Sequence, residues 1–176
     1  MGQFQFVHIH PFLDGNGRIG RLLIPLYLIS HGLMAKPSLY LSDFFERNRG
    51  SYYDALMGVR TGNDLTHWIR FFLNGVAQTA TKGRDVFRRI LALRTEVEQA
   101  VLGLGKRAHT ARTALNLFYR KPIINAADVE QALSISTPTA NALIKALVEL
   151  GILVEITGQQ RWRAYAFERY LSLFLS

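Results

Sequence analysis

Residues His10 to Arg21 read His-Pro-Phe-Leu-Asp-Gly-Asn-Gly-Arg-Ile-Gly-Arg. Their types and spacing make a coherent chemical site. Gly15 and Gly17 permit close backbone approach and unusual backbone angles. They stand just before a predicted helix, whose first N–H groups suit a phosphate. Arg18 and Arg21 are three apart, so they share one helix face and can grip a polyphosphate together. Asp14 is a hard oxygen ligand beside that cradle, suited to Mg²⁺ held jointly with phosphate. His10 can take a proton near neutral pH. A base, a metal ligand, a phosphate cradle and two arginines together suit transfer from a nucleoside triphosphate.

Plainer readings stand beside these. Gly15 and Asn16 are also ordinary turn residues. His8 and His10 can be read as a His-x-His metal pair on a strand, although no third His or Cys lies nearby. Phe12 and Leu13 read as packing residues.

Helices must position this loop. Arg18 to His31 has a helical apolar rhythm, and Gly32 is a plausible stop. Ser42-Asp43 can cap a helix running to about Val59. Asp64 to Ala80 gives another, with Trp68, Ile69, Phe72, Leu73 and Val76 at helical spacing. Asp85 to Val101 gives a fourth, charged on one face. Gly103-Leu104-Gly105-Lys106 reads as a linker, so the expected domains are 1–103 and 104–176.

The second half is organised differently. Short helices are expected over Thr113 to Tyr119 and Asn125 to Leu133, then a tight turn at Ser134-Ile135-Ser136. Thr137-Pro138 looks like a cap followed by proline at the first helical position. That helix runs from Thr139 to Leu150 and stops at Gly151. Ile152 to Ile156 and Arg161 to Phe167 read as strands joined at Thr157-Gly158. Helix, helix, turn, helix, hairpin is the order of a winged helix-turn-helix. The expected fold class is therefore mainly α, with one small β-hairpin.

Composition bounds what this assembly can be. The chain has 176 residues, 49% hydrophobic and 19% charged, which fits a globular protein. There is no cysteine, hence no disulfide framework. The uncharged stretch from Leu22 to Ala35 is too short to span a bilayer, and no signal pattern opens the chain. A cytoplasmic protein without a membrane partner is expected. The net charge of +8 can attract nucleic acid, nucleotides or acidic proteins, or simply reflect solvated helix faces. The excess is even: 12 basic against 8 acidic residues over 1–103, and 9 against 5 over 104–176.

The loop resembles the Fic family signature, His-Pro-Phe-x-x-Gly-Asn-Gly-Arg-x-x-Arg, with all eight specified residues present. The resemblance continues through Tyr40 to Arg49, Tyr52-Tyr53 and Trp68 to Leu73, and extends to bacterial Fic proteins with a C-terminal winged helix. It implies a partial Fic-fold helical core followed by that module. It also implies a protein adenylyltransferase, which moves AMP from ATP to a Ser, Thr or Tyr hydroxyl of a target protein (AMPylation). His10 would be the general base and Asp14 the Mg²⁺ ligand. Gly15, Asn16 and Gly17 would cradle the α- and β-phosphates, and Arg18 and Arg21 would hold the β- and γ-phosphates. Phe12 would anchor the loop in the core. Tyr52 and Tyr53 would approach the adenine, unless they only pack. Where some relatives place an Asn, this chain has Arg60.

Family members usually have a long N-terminal part before the motif, supplying packing helices, a target-aligning flap and, in some, an inhibitory segment. These are expected upstream of this chain. An apolar face on the motif helix would then be exposed, favouring a homo-oligomer. The alternative is a catalytically incomplete Fic fragment that acts as a DNA- or protein-binding winged helix. Thr139, Asn141, Ala142 and Lys145 would face outward from its third helix, with Gln159, Gln160, Arg161 and Arg163 in the wing. Leu143, Leu147 and Leu150 would form its core.

Overall fold

The computed structural model describes residues 5–6, 9–35 and 40–175. It is mainly α-helical, with one small sheet. By packing it divides into two units, Met1–Asp85 and Val86–Ser176.

In the first unit, helix α1 (Asn16–Ser30) opens directly on the glycine loop. Gly15 precedes it in the left-handed region at φ 81°, a conformation glycine adopts without a Cβ penalty. Asn16, Gly20 and Ile24 are its buried residues. They stand four apart, so one face packs inward. Leu22, Leu26 and Tyr27 remain exposed, so the helix does present apolar side chains to the outside. The helix ends near Gly32 as read, with Gly32 at φ 68°.

The helix expected from Ser42 to about Val59 is two helices. These are α2 (Ser42–Arg47) and α3 (Arg49–Gly62), broken at Asn48. The Asn48 side-chain amide donates to the Phe44 carbonyl at 2.8 Å, satisfying an acceptor at the α2 end. Asp43 is not a cap; it accepts from Arg47 Nε at 3.0 Å, one turn on. The helices expected over Asp64–Ala80 and Asp85–Val101 are one, α4 (Leu65–Leu102). The stretch between them holds Gly83 but no proline. A single helical glycine costs about 1 kcal/mol, less than breaking a helix whose flanks are packed.

The first unit's core is Ile24, Leu41, Phe44, Phe45, Tyr52, Ala55, Val59 and Trp68. Its rings pack closely: Phe45 and Tyr52 are 4.9 Å apart, Phe44 and Phe71 5.3 Å. Gly75 makes room for this cluster. A Cβ there would stand 2.6 Å from two carbons of the Phe44 ring.

The second unit takes Leu93, Val97 and Val101 from α4 into its own core. A 3₁₀ turn (Gly105–Arg107) leads to α5 (Ala108–Arg120), longer than the short helix expected. Strand β1 (Ile123–Asn125) follows and was not legible as a strand. Helix α6 (Ala126–Leu133) starts on a reciprocal capping box, in which the Asn125 side chain accepts from the Asp128 amide and the Asp128 carboxylate from the Asn125 amide. Ser134, at φ 51°, makes the turn to α7 (Thr137–Glu149). Ser136, not Thr137, occupies the N-cap position of α7, without a side-chain capping bond, and Pro138 falls in the first turn. Strands β2 (Val154–Glu155) and β3 (Ala164–Ala166) are antiparallel, as read. β3 also pairs with β1, giving the order β1-β3-β2. A short α8 (Glu168–Leu171) and a last 3₁₀ turn close the described chain.

The core of this unit is dense. Phe118, Phe167, Val129 and Leu147 are wholly buried. Leu143 and Leu147 point inward as expected, and Thr139, Asn141 and Lys145 are exposed. Leu150 is instead 39% exposed, because α7 has already ended and Gly151 turns the chain at φ 67°. Lys145 lies 3.9 Å from Glu149.

Candidate active site

The loop before α1 is held by one side chain. Asn16 is 2% exposed. Its Oδ1 accepts from the Phe12 amide at 3.0 Å, and its Nδ2 donates to the Phe12 carbonyl at 2.5 Å. The side chain therefore does the work of a backbone pair across residues 12 to 16. Phe12 itself is not a core anchor. Its ring is 51% exposed and tilts against Phe6 with 6.1 Å between centroids. Leu13 is fully exposed. The buried amide of Asn16 fixes the loop through its backbone, so neither apolar side chain has to be inside.

The first i→i−4 bond of α1 runs from the Ile19 amide to the Gly15 carbonyl at 3.0 Å. The amides of Asn16, Gly17 and Arg18 therefore precede the hydrogen-bonded ladder. No side chain caps this end and no acidic residue stands in its first turn, so the helix dipole faces the loop. Asp14 lies beside it. One carboxylate oxygen accepts from the Gly15 amide at 2.6 Å, and the other pairs with Arg18 Nη2 at 3.3 Å. Both side chains are largely exposed, so this pair is weak and exchangeable. His10 sits at φ 53°, a left-handed conformation that non-glycine residues seldom adopt and that recurs at functional positions.

A cavity of about 350 Å³ opens here. It is lined by His10, Asp14, Gly15, Asn16, Gly17, Arg18 and Arg21 from the loop and α1, and by Tyr52 and Tyr53 from α3. The candidate residues read from the sequence thus come together around one helix N-terminus. The two tyrosines differ. Tyr52 is 6% exposed and belongs to the aromatic core, whereas Tyr53 is 55% exposed. Burial pushes the Tyr52 phenol above its ordinary pKa; nearby Arg21 pulls it back and Tyr53 adds to the rise. Four further residues line the cavity: Leu13 of the loop, and Phe45, Glu46 and Arg49. The last three lie inside the stretch that carries the family resemblance, on either side of the break at Asn48.

The donors suit Mg²⁺ held by one carboxylate together with phosphate oxygens. That ion keeps several waters and needs few protein ligands. Among the described residues no three His, Asp or Glu side chains gather as a metal cage. His8 lies outside the described residues. Gln5, Phe6 and Ile9 are helical, and the His10 amide donates to the Phe6 carbonyl at 3.2 Å, so the alternating strand geometry behind a His-x-His pair is not formed at His10. Among the described residues no helix is long and apolar enough to cross a membrane.

The Fic/DOC family model matches residues 2–28. Similar proteins include the protein adenylyltransferase Fic of Aedes aegypti, 35% identical over 79 residues, which are 45% of this chain and 14% of that protein. The protein of the same name from Drosophila grimshawi is 31% identical over 121 residues, covering 65% of this chain and 23% of its own length. A Fido domain-containing protein of Dictyostelium discoideum is 36% identical over 72 residues, 34% of this chain and 50% of that one. The chain therefore spans only a small part of the adenylyltransferases it matches. The complete signature on a loop of this geometry, together with these matches, makes this part of the chain similar to the Fic/DOC family.

Proposed function

We propose that the first unit binds ATP with Mg²⁺ in the 350 Å³ cavity and transfers AMP to a hydroxyl of a target protein. The observation that carries this reading is the convergence of one base, one carboxylate, an uncapped helix N-terminus and two arginines on a single cavity. The similarity to proteins named adenylyltransferase supports the same chemistry.

In this reading the amides that open α1 bind the phosphates, and Arg18 and Arg21 hold the pyrophosphate end. Asp14 would hold Mg²⁺, which would supply charge neutralisation for the phosphates. His10 accepts the proton of the target hydroxyl as that oxygen forms its bond to the α-phosphorus. The bond from the α-phosphorus to the bridging oxygen breaks, and pyrophosphate leaves with that electron pair. The arginines stabilise the charge it carries away. The second unit fits a winged helix-turn-helix in its element order and its β1-β3-β2 sheet. We read it as an appended module rather than part of the chemistry.

Two measurements on the 176-residue chain test the proposal. Calorimetry should detect ATP–Mg²⁺ binding that Arg18→Ala removes. Labelled-ATP transfer should fall by roughly 10² to 10⁴ in His10→Ala while ATP still binds. Undiminished transfer by His10→Ala would sink the general-base role, and absence of ATP binding by the unmutated chain would sink the proposal.

A further inference from the structure

The cavity has two unlike walls. One is the glycine loop and the start of α1, rich in amides and cations. The other is the α2–α3 wall, made of Phe45, Glu46, Arg49, Tyr52 and Tyr53. A nucleotide whose phosphates occupy the first wall has its base at the second, where the planar side chains are. Tyr52 is buried in the core and turns edge-on to Tyr53, with 5.5 Å between ring centroids. The exposed planar groups on that wall are therefore Tyr53 and Arg49. The Arg49 guanidinium carbon stands 5.8 Å from the centre of the Tyr53 ring. The Glu46 carboxylate is 3.9 Å from Arg49 Nη1, a weak exposed pair. A guanidinium that already covers an aromatic face on a cavity wall offers its own plane to a base.

We infer that Arg49 is a base-binding residue of this cavity: it forms with Tyr53 the platform on which the purine stacks. The inference rests on the reading that the cavity takes a nucleoside triphosphate. Its nearest competitor is a third phosphate contact, since Arg49 is also the first residue of α3. Charge alone serves a phosphate, whereas stacking needs the plane.

The test compares two ligands on the full chain by calorimetry: ATP–Mg²⁺, and inorganic tripolyphosphate–Mg²⁺, which has the charge but no base. Arg49→Ala should weaken ATP about tenfold and leave tripolyphosphate unchanged. Arg49→Lys should not restore ATP, because an ammonium keeps the charge but not the plane. Arg49 is exposed, so these variants are expected to keep the wild-type melting temperature. Equal losses for both ligands, or rescue by lysine, would make Arg49 a phosphate contact and overturn the inference. Unchanged ATP binding in Arg49→Ala would overturn it too. Arg18→Ala separates the two levels of failure: it should weaken both ligands, and if it weakens neither, the nucleotide reading of the cavity falls and the inference falls with it.

Discussion

The two units solve different problems. The second closes a core around Phe118, Phe167, Leu147 and Val129, all without solvent contact. The first packs one aromatic cluster and leaves Leu22, Leu26 and Tyr27 of the motif helix outside. Its site is fixed by short-range polar contacts instead: Asn16 to Phe12, Gly15 to Asp14, Asp14 to Arg18. On the proposed function, chemistry and stability reside in different places along this chain. Phosphate-binding amides have to stay unpaired and reachable, and a saturated core has no room for them.

Three changes test that contrast. The largest is expected from Phe118→Ala. Emptying the centre of the second core should cost about 3–5 kcal/mol in denaturant unfolding of that unit. If ATP binding by the first unit disappears as well under native conditions, the separation is wrong. Next comes Asn16→Ala. It should cost about 1–3 kcal/mol, because the Phe12 amide loses its partner, and it should weaken ATP binding without touching a phosphate-holding side chain. Calorimetry and thermal unfolding on the same sample measure the two effects. Intact ATP affinity would show that the loop keeps its shape without the bracket. The smallest effect is a pH dependence of the second unit. The Lys121 ammonium holds the Asp128 carboxyl below its ordinary value of 3.8; burial opposes this, and the Asn125 amide adds to the lowering. A lowered folded pKa gives stability that is fully present above the unfolded value and is lost as pH falls through the folded one. Unfolding of the second unit should therefore become easier below about pH 4, in part through this group. Asp128→Asn should flatten that part of the profile, at a cost of about 1 kcal/mol near neutrality. An unchanged slope would remove Asp128 from the account.

The site loop was legible because its parts are neighbours in sequence. Glycine freedom, a helix start and arginines three apart are local facts, and the loop residues from His10 to Arg21 meet in the cavity on those terms. What escaped reading depends on distant partners. Phe45, Glu46 and Arg49 flank the break at Asn48, whose side-chain bond to Phe44 no periodicity announces. β1 is three residues long and is defined by pairing with Ala164–Ala166, some forty residues on. α4 absorbed Gly83 because packed segments lie on both sides of it. The exposure of Phe12 was hidden for another reason. The loop's internal anchor is a polar side chain, Asn16, at a position that reads equally well as an ordinary turn residue.

That buried amide also has a kinetic meaning. On the proposed function, the bracket from Asn16 to both backbone groups of Phe12 is in place before the nucleotide arrives. The entropy of ordering the loop is then lost during folding rather than on association. A preorganised receptor of this kind associates in a single concentration-dependent phase, with no slow rearrangement after encounter. Selectivity among polyanions then falls to the shape already present, and discrimination appears in residence time more than in the rate of capture.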